Sequence, residues 1–261
     1  MSSCLTITTA GPIARVTLNR PEVRNAFNET LIEELAAAFI ELGQRADLRV
    51  IVLAAEGKAF CAGADLNWMK AMAGYSWDEN HADATRLADM LWAIYSCPVP
   101  VIARVQGDVY AGGVGLVACA DIAVAVDAAG FCLSEAKLGL MPATIAPYVV
   151  RALGEQASRR YFVTAERFTA DEARRLGLVQ EVVTADALDA KVDDLAAAIC
   201  ANGPAATRAC KRLVKDVAGR EITPALRDDT ARRIADIRAS AEGRDGVQSF
   251  LTKGKPAWLN G

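Results

Sequence analysis

Apolar runs of strand length alternate with amphipathic helical patterns through the first two thirds of the chain. The runs at 50–54 (VIVLA) and 99–105 (VPVIARV) are almost wholly apolar, as in parallel strands that are buried on both faces. The segment 13–18 (IARVTL) alternates apolar and polar positions, which predicts a half-buried strand. Apolar runs at 122–126 and 179–183 continue the series. The repeated order of strand, loop and helix predicts an α/β fold.

Capping residues indicate where some of the helices begin and end. Asn28 is expected to cap a helix that Gly43 ends. The apolar positions between them recur at helical spacing: Leu31, Leu35, Phe39 and Leu42. Thr169 and Glu172 form a capping-box pattern for a helix that is expected to end at Gly177.

The pattern changes in the last third of the chain, where only helical segments follow one another. We expect breaks between these helices at 202–204 (NGP) and near Gly219 and Gly243. The chain is therefore divided into an α/β core over residues 1–195 and a helical region over residues 196–261.

Composition narrows the classes of function. The 261 residues are 52% hydrophobic, enough to bury a large core without metals or disulfides. The net charge is −3 and Lys and Arg are spread along the chain, so neither nucleic acid nor an anionic membrane is an expected partner. Seven cysteines without CxxC spacing indicate reduced thiols and no zinc site. Without a signal-peptide or membrane-spanning pattern, a cytoplasmic protein is expected.

Two glycine-containing loops follow two of the buried strands. They are KAFCAGADL at 58–66 and GDVYAGGVG at 107–115, and the second opens a helical pattern. Ligands of α/β folds sit at the carboxyl ends of strands, and small residues there let a ligand approach the backbone. Two such loops can present two N–H groups to one oxygen atom. We therefore expect an oxyanion hole.

The motifs in these loops resemble those of a known family. FCAGADL, the AGG loop with CADIAVA, SEAKLGLMP and the opening LNRPEVRNAFN resemble the enoyl-CoA hydratase/isomerase family, the crotonases, in order and in spacing. The resemblance covers essentially the whole chain. It implies a crotonase-like spiral of repeated β-β-α units with a helical C-terminal portion. It also implies an acyl-CoA thioester substrate, with no cofactor beyond the coenzyme A that belongs to the substrate.

The resemblance assigns the catalytic groups. Ala64 and Gly112 match the two residues whose backbone N–H groups hold the thioester oxygen, and Glu135 matches a catalytic acid/base. Apolar neighbours should raise the pKa of the Glu135 carboxyl, which suits a group that both takes and gives a proton. The neighbours expected to do so are Phe131, Leu133, Leu138 and Leu140.

The resemblance also implies a binding surface for coenzyme A. Two segments match the family's CoA pocket, and their residues are Val23, Arg24, Ala26, Ala62, Gly63, Asp65 and Leu66. Phe250 and Lys253 resemble an aromatic and a basic residue that reach CoA from a neighbouring subunit. A homotrimer or a dimer of trimers is therefore expected.

Two departures from the family pattern bear on the reaction. The hydratases of the family place a first catalytic glutamate where Gly115 stands, and no acid occurs from 110 to 120. The segment MPATIAP replaces a proline followed by several glycines, and we expect Ala143 and Thr144 to crowd the acyl pocket. Single-acid members with the acid at the Glu135 position are found among enoyl-CoA isomerases.

A closer likeness favours hydration over isomerisation. FCLSEAKLGLMPATIAPYVVRALGE and RRYFVTAERF resemble a bacterial branch assigned as methylglutaconyl-CoA or carboxygeranoyl-CoA hydratases, from leucine and acyclic terpene breakdown. In such an enzyme a substrate carboxylate, Asp108 or Tyr110 is a candidate to replace the missing acid. Hydration of a 2-enoyl-CoA, branched or carboxylated, is thus the leading expectation. The alternatives are an isomerase that uses Glu135 alone and a non-catalytic acyl-CoA binding protein.

The remaining reactive residue types receive structural interpretations. His81, the single histidine, lies in a polar helical segment and is expected at the surface. Cys61 lacks a histidine partner and is not expected to be a nucleophile. The glycine spacing of the AGG loop does not match the dinucleotide-binding fingerprint, so a nicotinamide cofactor is not expected.

Overall fold

The computed structural model describes residues 3–259, and the chain divides after Asp194 into two compact units. The first unit contains all the strands of the described chain, and the second is helical. The predicted α/β class is confirmed.

Ten strands are present among the described residues. They are β1 (Leu5–Ala10), β2 (Ile13–Leu18), β3 (Val50–Ala55), β4 (Ala59–Cys61), β5 (Val101–Val105), β6 (Asp108–Tyr110), β7 (Ile122–Val126), β8 (Gly130–Cys132), β9 (Arg167–Thr169) and β10 (Glu181–Val183).

Eleven α-helices accompany them in the described chain. They are α1 (Glu29–Gln44), α2 (Leu66–Met72), α3 (Trp77–Ser96), α4 (Gly112–Cys119), α5 (Ala146–Leu153), α6 (Glu155–Thr164), α7 (Ala170–Leu176), α8 (Leu188–Cys200), α9 (Pro204–Val217), α10 (Pro224–Ala239) and α11 (Ala241–Leu251).

The strands form two sheets. The larger sheet has the order β1-β2-β3-β5-β7-β10, parallel except for the antiparallel pair of β1 and β2. Its centre is the core of the first unit, because all six residues of β3 are buried and β5 and β7 are buried at most positions. Strands covered on both faces carry such continuous apolar runs. Ile51 lies beside Val101, and Ile102 beside Ile122.

The smaller sheet places the glycine loops together. Its order is β4-β6-β8-β9, with β4, β6 and β8 parallel and β9 antiparallel to β8. Each of these three parallel strands follows a strand of the larger sheet, and a helix comes after it. The carboxyl ends of parallel strands lie at one edge of a sheet. The segments 62–65, 111–112 and 133–135 therefore leave the smaller sheet on the same side.

Helix α1 begins as predicted and ends one residue later. The Asn28 side chain accepts a hydrogen bond from the Leu31 N–H at 2.9 Å. Gly43 does not end the helix, which continues to Gln44. Gly43 is buried against α3's end, where a Cβ would lie 3.1 Å from the ring of Pro98. The glycine is thus required by close packing and not by a helix terminus.

Two predicted strands begin later than expected. β5 starts at Val101 because Pro100 has no N–H to give to a ladder. β10 starts at Glu181, since the N–H groups of Leu178 and Val179 both bond the Ala173 carbonyl and close the end of α7. The other three predicted strands are confirmed.

Helix α7 has one half of the predicted capping box. The Thr169 hydroxyl accepts from the Glu172 N–H at 3.2 Å, and Gly177 follows the helix in a left-handed conformation. The Glu172 carboxylate does not return to the Thr169 backbone but binds Arg175 and Tyr161.

The helical portion of the chain is continuous except at short breaks. The break at 202–204 is confirmed, and α9 ends just before Gly219. The break predicted near Gly243 is present three residues earlier, and Gly243 itself lies inside the first turn of α11. The break is at Ser240, whose hydroxyl accepts from the Gly243 N–H at 3.0 Å. Within residues 3–259 no helix combines the length and apolar character needed to cross a membrane.

Candidate active site

The loop after β4 presents the N–H of Ala64. The N–H of Phe27 donates to the Gly63 carbonyl at 2.7 Å, and the N–H of Asp65 donates to the Phe27 carbonyl at 2.8 Å. In a parallel bridge of this kind, the residue between the two bonded neighbours turns its own N–H the other way. Among the described residues no backbone acceptor takes the Ala64 N–H. It is free to bind a ligand oxygen.

The loop after β6 presents the N–H of Gly112. Gly112 is the first residue of α4, and the first N–H groups of a helix have no partner within it. They also lie at the positive end of the helix dipole. The preceding Ala111 has φ 48° and ψ −122°, a strained backbone for a residue with a side chain. Such strain is found where a site fixes the direction of a backbone group.

The two donor loops touch each other. A Cβ on Gly63 would lie 3.0 Å from the Ala111 Cβ and 3.4 Å from the backbone carbonyl oxygen of Tyr110. Phe27, which pairs with Ala64, also contacts the second loop, since a Cβ on Gly112 would lie 2.9 Å from its ring. The two loops that carry the N–H donors are therefore neighbours, and both lie against Phe27. Sequence reasoning missed Phe27, and only its apolar character within LNRPEVRNAFN pointed to it.

Glu135 follows the third strand end of the smaller sheet. It begins a 3-10 turn at Glu135–Leu138, and its Oε2 atom is buried without a hydrogen-bond partner in the described structure. Burial raises the pKa of the Glu135 carboxyl, against a smaller lowering by its own backbone N–H. A buried carboxyl oxygen without a partner is unfavourable for folding and favourable for proton transfer to a bound molecule.

Two of the four expected apolar neighbours of Glu135 are not buried. Phe131 and Leu133 are fully buried, as predicted. Leu138 and Leu140, on either side of Gly139, are 59% and 57% exposed. Their predicted part in the desolvation of Glu135 stays a prediction.

The segments that resemble a CoA pocket lie side by side. The Ala62 N–H donates to the Arg24 carbonyl at 3.0 Å, which fixes the first segment along the loop after β4. Val23, Arg24 and Leu66 are exposed, whereas Ala26 is buried. The structure thus brings the predicted residues of both segments together on one surface of the first unit.

Asp65 holds this loop through its carboxylate. It caps α2 by accepting from the Asn67 N–H at 2.8 Å, and it pairs with the Arg20 guanidinium at 2.9 Å. Burial alone would raise the pKa of Asp65, but the Asn67 N–H and Arg20 outweigh it and hold the pKa below its ordinary value. Its backbone is engaged as well, since the Asp65 N–H donates to Phe27 and its carbonyl accepts from the Met69 N–H at 2.8 Å. Asp65 therefore positions this loop, and its predicted contact with CoA stays a prediction.

Asn25 holds the other segment and was not predicted. Arg24 and Asn25 both have left-handed backbone conformations. The fully buried Asn25 amide donates to the carbonyls of Glu56 and Ala59 at 2.8 and 3.0 Å. An asparagine tolerates this conformation better than most residues, which is the one sequence signal for it.

Phe250 and Lys253 belong to the second unit. Phe250 lies on α11 with its side chain 84% exposed, and Lys253 follows the end of that helix. Their predicted contact with CoA in a neighbouring subunit stays a prediction.

The space next to Gly115 is filled by an isoleucine. A Cβ on Gly115 would lie 2.2 Å from Cγ2 and 2.8 Å from Cβ of Ile145, and 3.4 Å from Leu91. Ile145 is 1% exposed and Leu91 is fully buried. Ala143 and Thr144 were expected to crowd this wall, but Ala143 is exposed and Thr144 half-buried. The residue of MPATIAP that closes the wall is Ile145.

Asp108 is engaged in a structural role. One carboxylate oxygen accepts from the Gly130 N–H at 2.8 Å and from Arg167 at 2.7 Å, which ties β6 to β8 and β9. Tyr110, the other residue considered as a replacement acid, is half-buried directly before Ala111. The arrangement therefore disfavours Asp108 as the group that activates water.

A buried carboxylate fixes α2, the helix that follows the first donor loop. Asp83 on α3 is 4% exposed and accepts from the Trp68 indole N–H at 3.3 Å and from Arg86 at 2.8 Å. Tyr75 in turn donates to Glu29 of α1 at 3.2 Å. These contacts join α2 and the chain after it to α1 and α3.

The remaining reactive groups take no part in this arrangement. His81 is exposed and stacks on Trp77 with ring centroids 5.1 Å apart. Burial raises the pKa of the Cys61 thiol to about 12, which removes it as a nucleophile at neutral pH. Within residues 3–259 no three His, Cys, Asp or Glu side chains are placed to share a metal ion.

Comparison with known proteins identifies the family of this chain. The model of the enoyl-CoA hydratase/isomerase family matches residues 8–261, and the chain belongs to that family. An enoyl-CoA hydratase of Alternaria alternata is 34% identical over 90% of this chain and 77% of its own. The crystal structure of an enoyl-CoA hydratase from Shewanella pealeana is 40% identical, with a TM-score of 0.95 over 98% of this chain and 96% of its own. The expected crotonase fold is confirmed, and the protein is an enzyme of this family.

A further solved structure supports the same assignment. An enoyl-CoA hydratase from Mycobacterium smegmatis is 35% identical, with a TM-score of 0.93 over 99% of this chain and its own full length.

Proposed function

We propose that this enzyme hydrates a 2-enoyl-CoA thioester, with Glu135 as its acid/base. The N–H groups of Ala64 and Gly112 bind the thioester oxygen. The observation that carries the proposal is the buried Oε2 of Glu135, which has no partner in the described structure. The segment that carries Glu135 leaves the smaller sheet at the same edge as the two donor loops.

The reaction balances with one carboxyl group. The Glu135 carboxylate takes a proton from water as the oxygen attacks Cβ. The carbon–carbon double bond electrons move to Cα and the carbonyl oxygen, so negative charge develops where the two N–H groups point. The protonated Glu135 then returns its proton to Cα and the carbonyl re-forms. Each donor of such a hole commonly contributes about 3 to 4 kcal/mol to the transition state.

A raised pKa suits both steps. A carboxyl that must take a proton from water and then give one to carbon works best when its pKa lies nearer to neutral pH. Burial shifts the pKa of Glu135 in that direction. A carboxyl with one oxygen held buried and without a partner also argues against an acyl-CoA binding protein without catalysis.

Isomerisation of a 3-enoyl-CoA is the second candidate. The observation that favours it is the apolar wall at Gly115, where Ile145 and Leu91 leave no room for a second acid. Moving one proton between two carbons needs only Glu135 and the oxyanion donors. Hydration leads because the enoyl-CoA hydratases among the relatives and solved structures match nearly the whole chain.

The test follows the absorbance of the conjugated enoyl thioester with purified enzyme. Crotonyl-CoA, 3-methylglutaconyl-CoA and a 3-enoyl-CoA are assayed in parallel with wild type, Glu135→Gln and, as a matched control, Glu172→Gln. We expect the absorbance to fall with a 2-enoyl substrate, and Glu135→Gln to reduce this rate about 10²- to 10⁴-fold. The control should keep the wild-type rate, since Glu172 binds Arg175 and Tyr161 at the end of α7.

Two outcomes would contradict hydration. A rise with the 3-enoyl substrate and no change with the others would make the enzyme an isomerase. Tight binding of every thioester with no turnover of any would make it a binding protein.

A further inference from the structure

The contact between Gly115 and Ile145 lies one helical turn from an oxyanion donor. Residues three apart share a face of a helix, and three residues advance about 4.5 Å along its axis. Helical side chains tilt toward the N-terminus of their helix, so a side chain at position 115 would reach back toward the turn that begins at Gly112. That turn carries the N–H proposed to bind the thioester oxygen.

Ile145 closes that position rigidly. The two shortest contacts of a Cβ at position 115 are with the branch point of Ile145, its Cβ and Cγ2, and not with the far end of a flexible chain. A β-branched side chain has few rotamers by which to move away. Ile145 is itself 1% exposed, and Leu91 closes the other side. Position 115 therefore accepts only a hydrogen atom while Ile145 is present.

We propose that Ile145 is the residue that limits this site to one carboxyl group, that of Glu135. Its side chain takes the volume that a second acid at position 115 of α4 would need, so hydrocarbon and not a carboxyl fills that space. The orientation of water is thereby left to Glu135. The inference rests on the proposed function in taking Gly112 as an oxyanion donor and Glu135 as the carboxyl that orients water.

A thermal stability cycle tests the contact itself. Gly115→Ala and Ile145→Ala should each lower Tm, the first by a clash and the second by a cavity. The double variant should lose less than the sum of the two, because Ile145→Ala removes the atoms that the new methyl group meets. Gly113→Ala is the matched control, since its Cβ would meet Cys61 at 2.8 Å instead. Its combination with Ile145→Ala should be additive.

An exchange experiment tests the consequence for the site. Exchange of the α-hydrogens of butyryl-CoA in D2O is followed by NMR against pH. Wild type should show one ionisation, that of Glu135. Gly115→Glu/Ile145→Gly should show a second, because two neighbouring carboxyls titrate in separate steps. The buried Cys132 thiol interacts electrostatically with Lys137, Glu135 and Arg167, and these neighbouring groups are the same in both proteins.

The outcomes separate this inference from the proposed function. Additive changes in Tm for Gly115→Ala and Ile145→Ala would overturn the role of Ile145, even in an active hydratase. So would a folded Gly115→Glu/Ile145→Gly protein with the wild-type pH profile of exchange. If the wild-type enzyme exchanges α-hydrogens but hydrates no 2-enoyl thioester, the proposed hydration is overturned. The stability cycle and the pH profile of exchange would still decide the role of Ile145. Should Gly115→Glu/Ile145→Gly fail to fold, Gly115→Asp/Ile145→Ala takes its place.

Discussion

Two residues of the proposed site are placed at a thermodynamic cost. Glu135 is half-buried with one oxygen unpartnered, and Ala111 holds a left-handed backbone just before the Gly112 donor. Groups of this kind reduce stability and persist where function selects them. The two N–H donors need no particular side chain, which is why an alanine and a glycine can serve.

The stability of the protein should record the burial of Glu135. Its raised pKa means that the folded chain holds this proton more tightly than the unfolded chain does. The stabilisation is present below the ordinary pKa of 4.5 and is lost as the pH rises through the raised value. We therefore expect Glu135→Gln to have a higher Tm than wild type at pH 8, with the difference vanishing below pH 4.5.

Thermal denaturation from pH 4 to pH 8 measures this difference. Glu172→Gln serves as the control, because Arg175 and Tyr161 lower the pKa of Glu172 and its loss should destabilise at pH 8. A Glu135→Gln variant that is less stable than wild type at pH 8 would show that the carboxylate is well solvated.

Among the elements, the long ones were predictable from sequence and the short ones were not. The strands at 13–18 and 122–126 and the start of α1 follow from local periodicity and a cap. The three-residue strands of the smaller sheet are too short to show a period, although they position every catalytic group. The contact of Gly115 with Ile145 joins positions 30 residues apart, and no local pattern encodes it. The donor residues were predictable only through their motifs.

Two buried carboxylates hold helix α2: Asp65, which caps it, and Asp83 on α3. Asp83→Ala leaves the Trp68 indole N–H without its acceptor, which costs about 1 to 3 kcal/mol for a buried group. Because α2 starts two residues after Ala64, we expect kcat to fall as well. Asp83→Asn keeps an acceptor oxygen and should recover most of both. Chemical denaturation and steady-state kinetics of the two variants measure this, and equal kcat in all three proteins would contradict it.

The link between β6 and β9 should matter for stability and not for turnover. Asp108→Asn weakens the pairing with Arg167 and should lower Tm, as should Arg167→Ala. Both variants should keep the wild-type kcat with a 2-enoyl substrate. A large loss of kcat in Asp108→Asn that Arg167→Ala does not share would return Asp108 to the reaction as a water-activating acid.

For the whole molecule, the proposed oxyanion donors and the proposed acid all lie in the first unit, and the second unit is expected to supply part of the CoA surface. Phe250 is 84% exposed. An aromatic side chain left in water to this extent is typical of a surface that contacts another molecule. The prediction from sequence is that it and Lys253 reach the CoA of a neighbouring subunit.

Mixed oligomers test that prediction. Phe250→Ala/Lys253→Ala should raise KM for acyl-CoA, and Glu135→Gln should abolish turnover. Co-expression of the two chains with different tags should produce mixed oligomers in which a site with Glu135 meets a neighbour with Phe250 and Lys253. We expect a low KM to reappear in the doubly purified fraction. A KM equal to that of the double variant would mean that no such residue is shared between subunits.

The central claim is that one carboxyl, Glu135, both activates water and delivers the proton to Cα. NMR of the hydration of crotonyl-CoA in D2O measures both events in one sample, with wild type and Glu135→Gln. The account predicts a 3-hydroxyacyl product with one deuterium at Cα, and the loss of hydration and of α-exchange together in the variant. Hydration that persists in a folded Glu135→Gln enzyme would contradict it and would assign the water to another group.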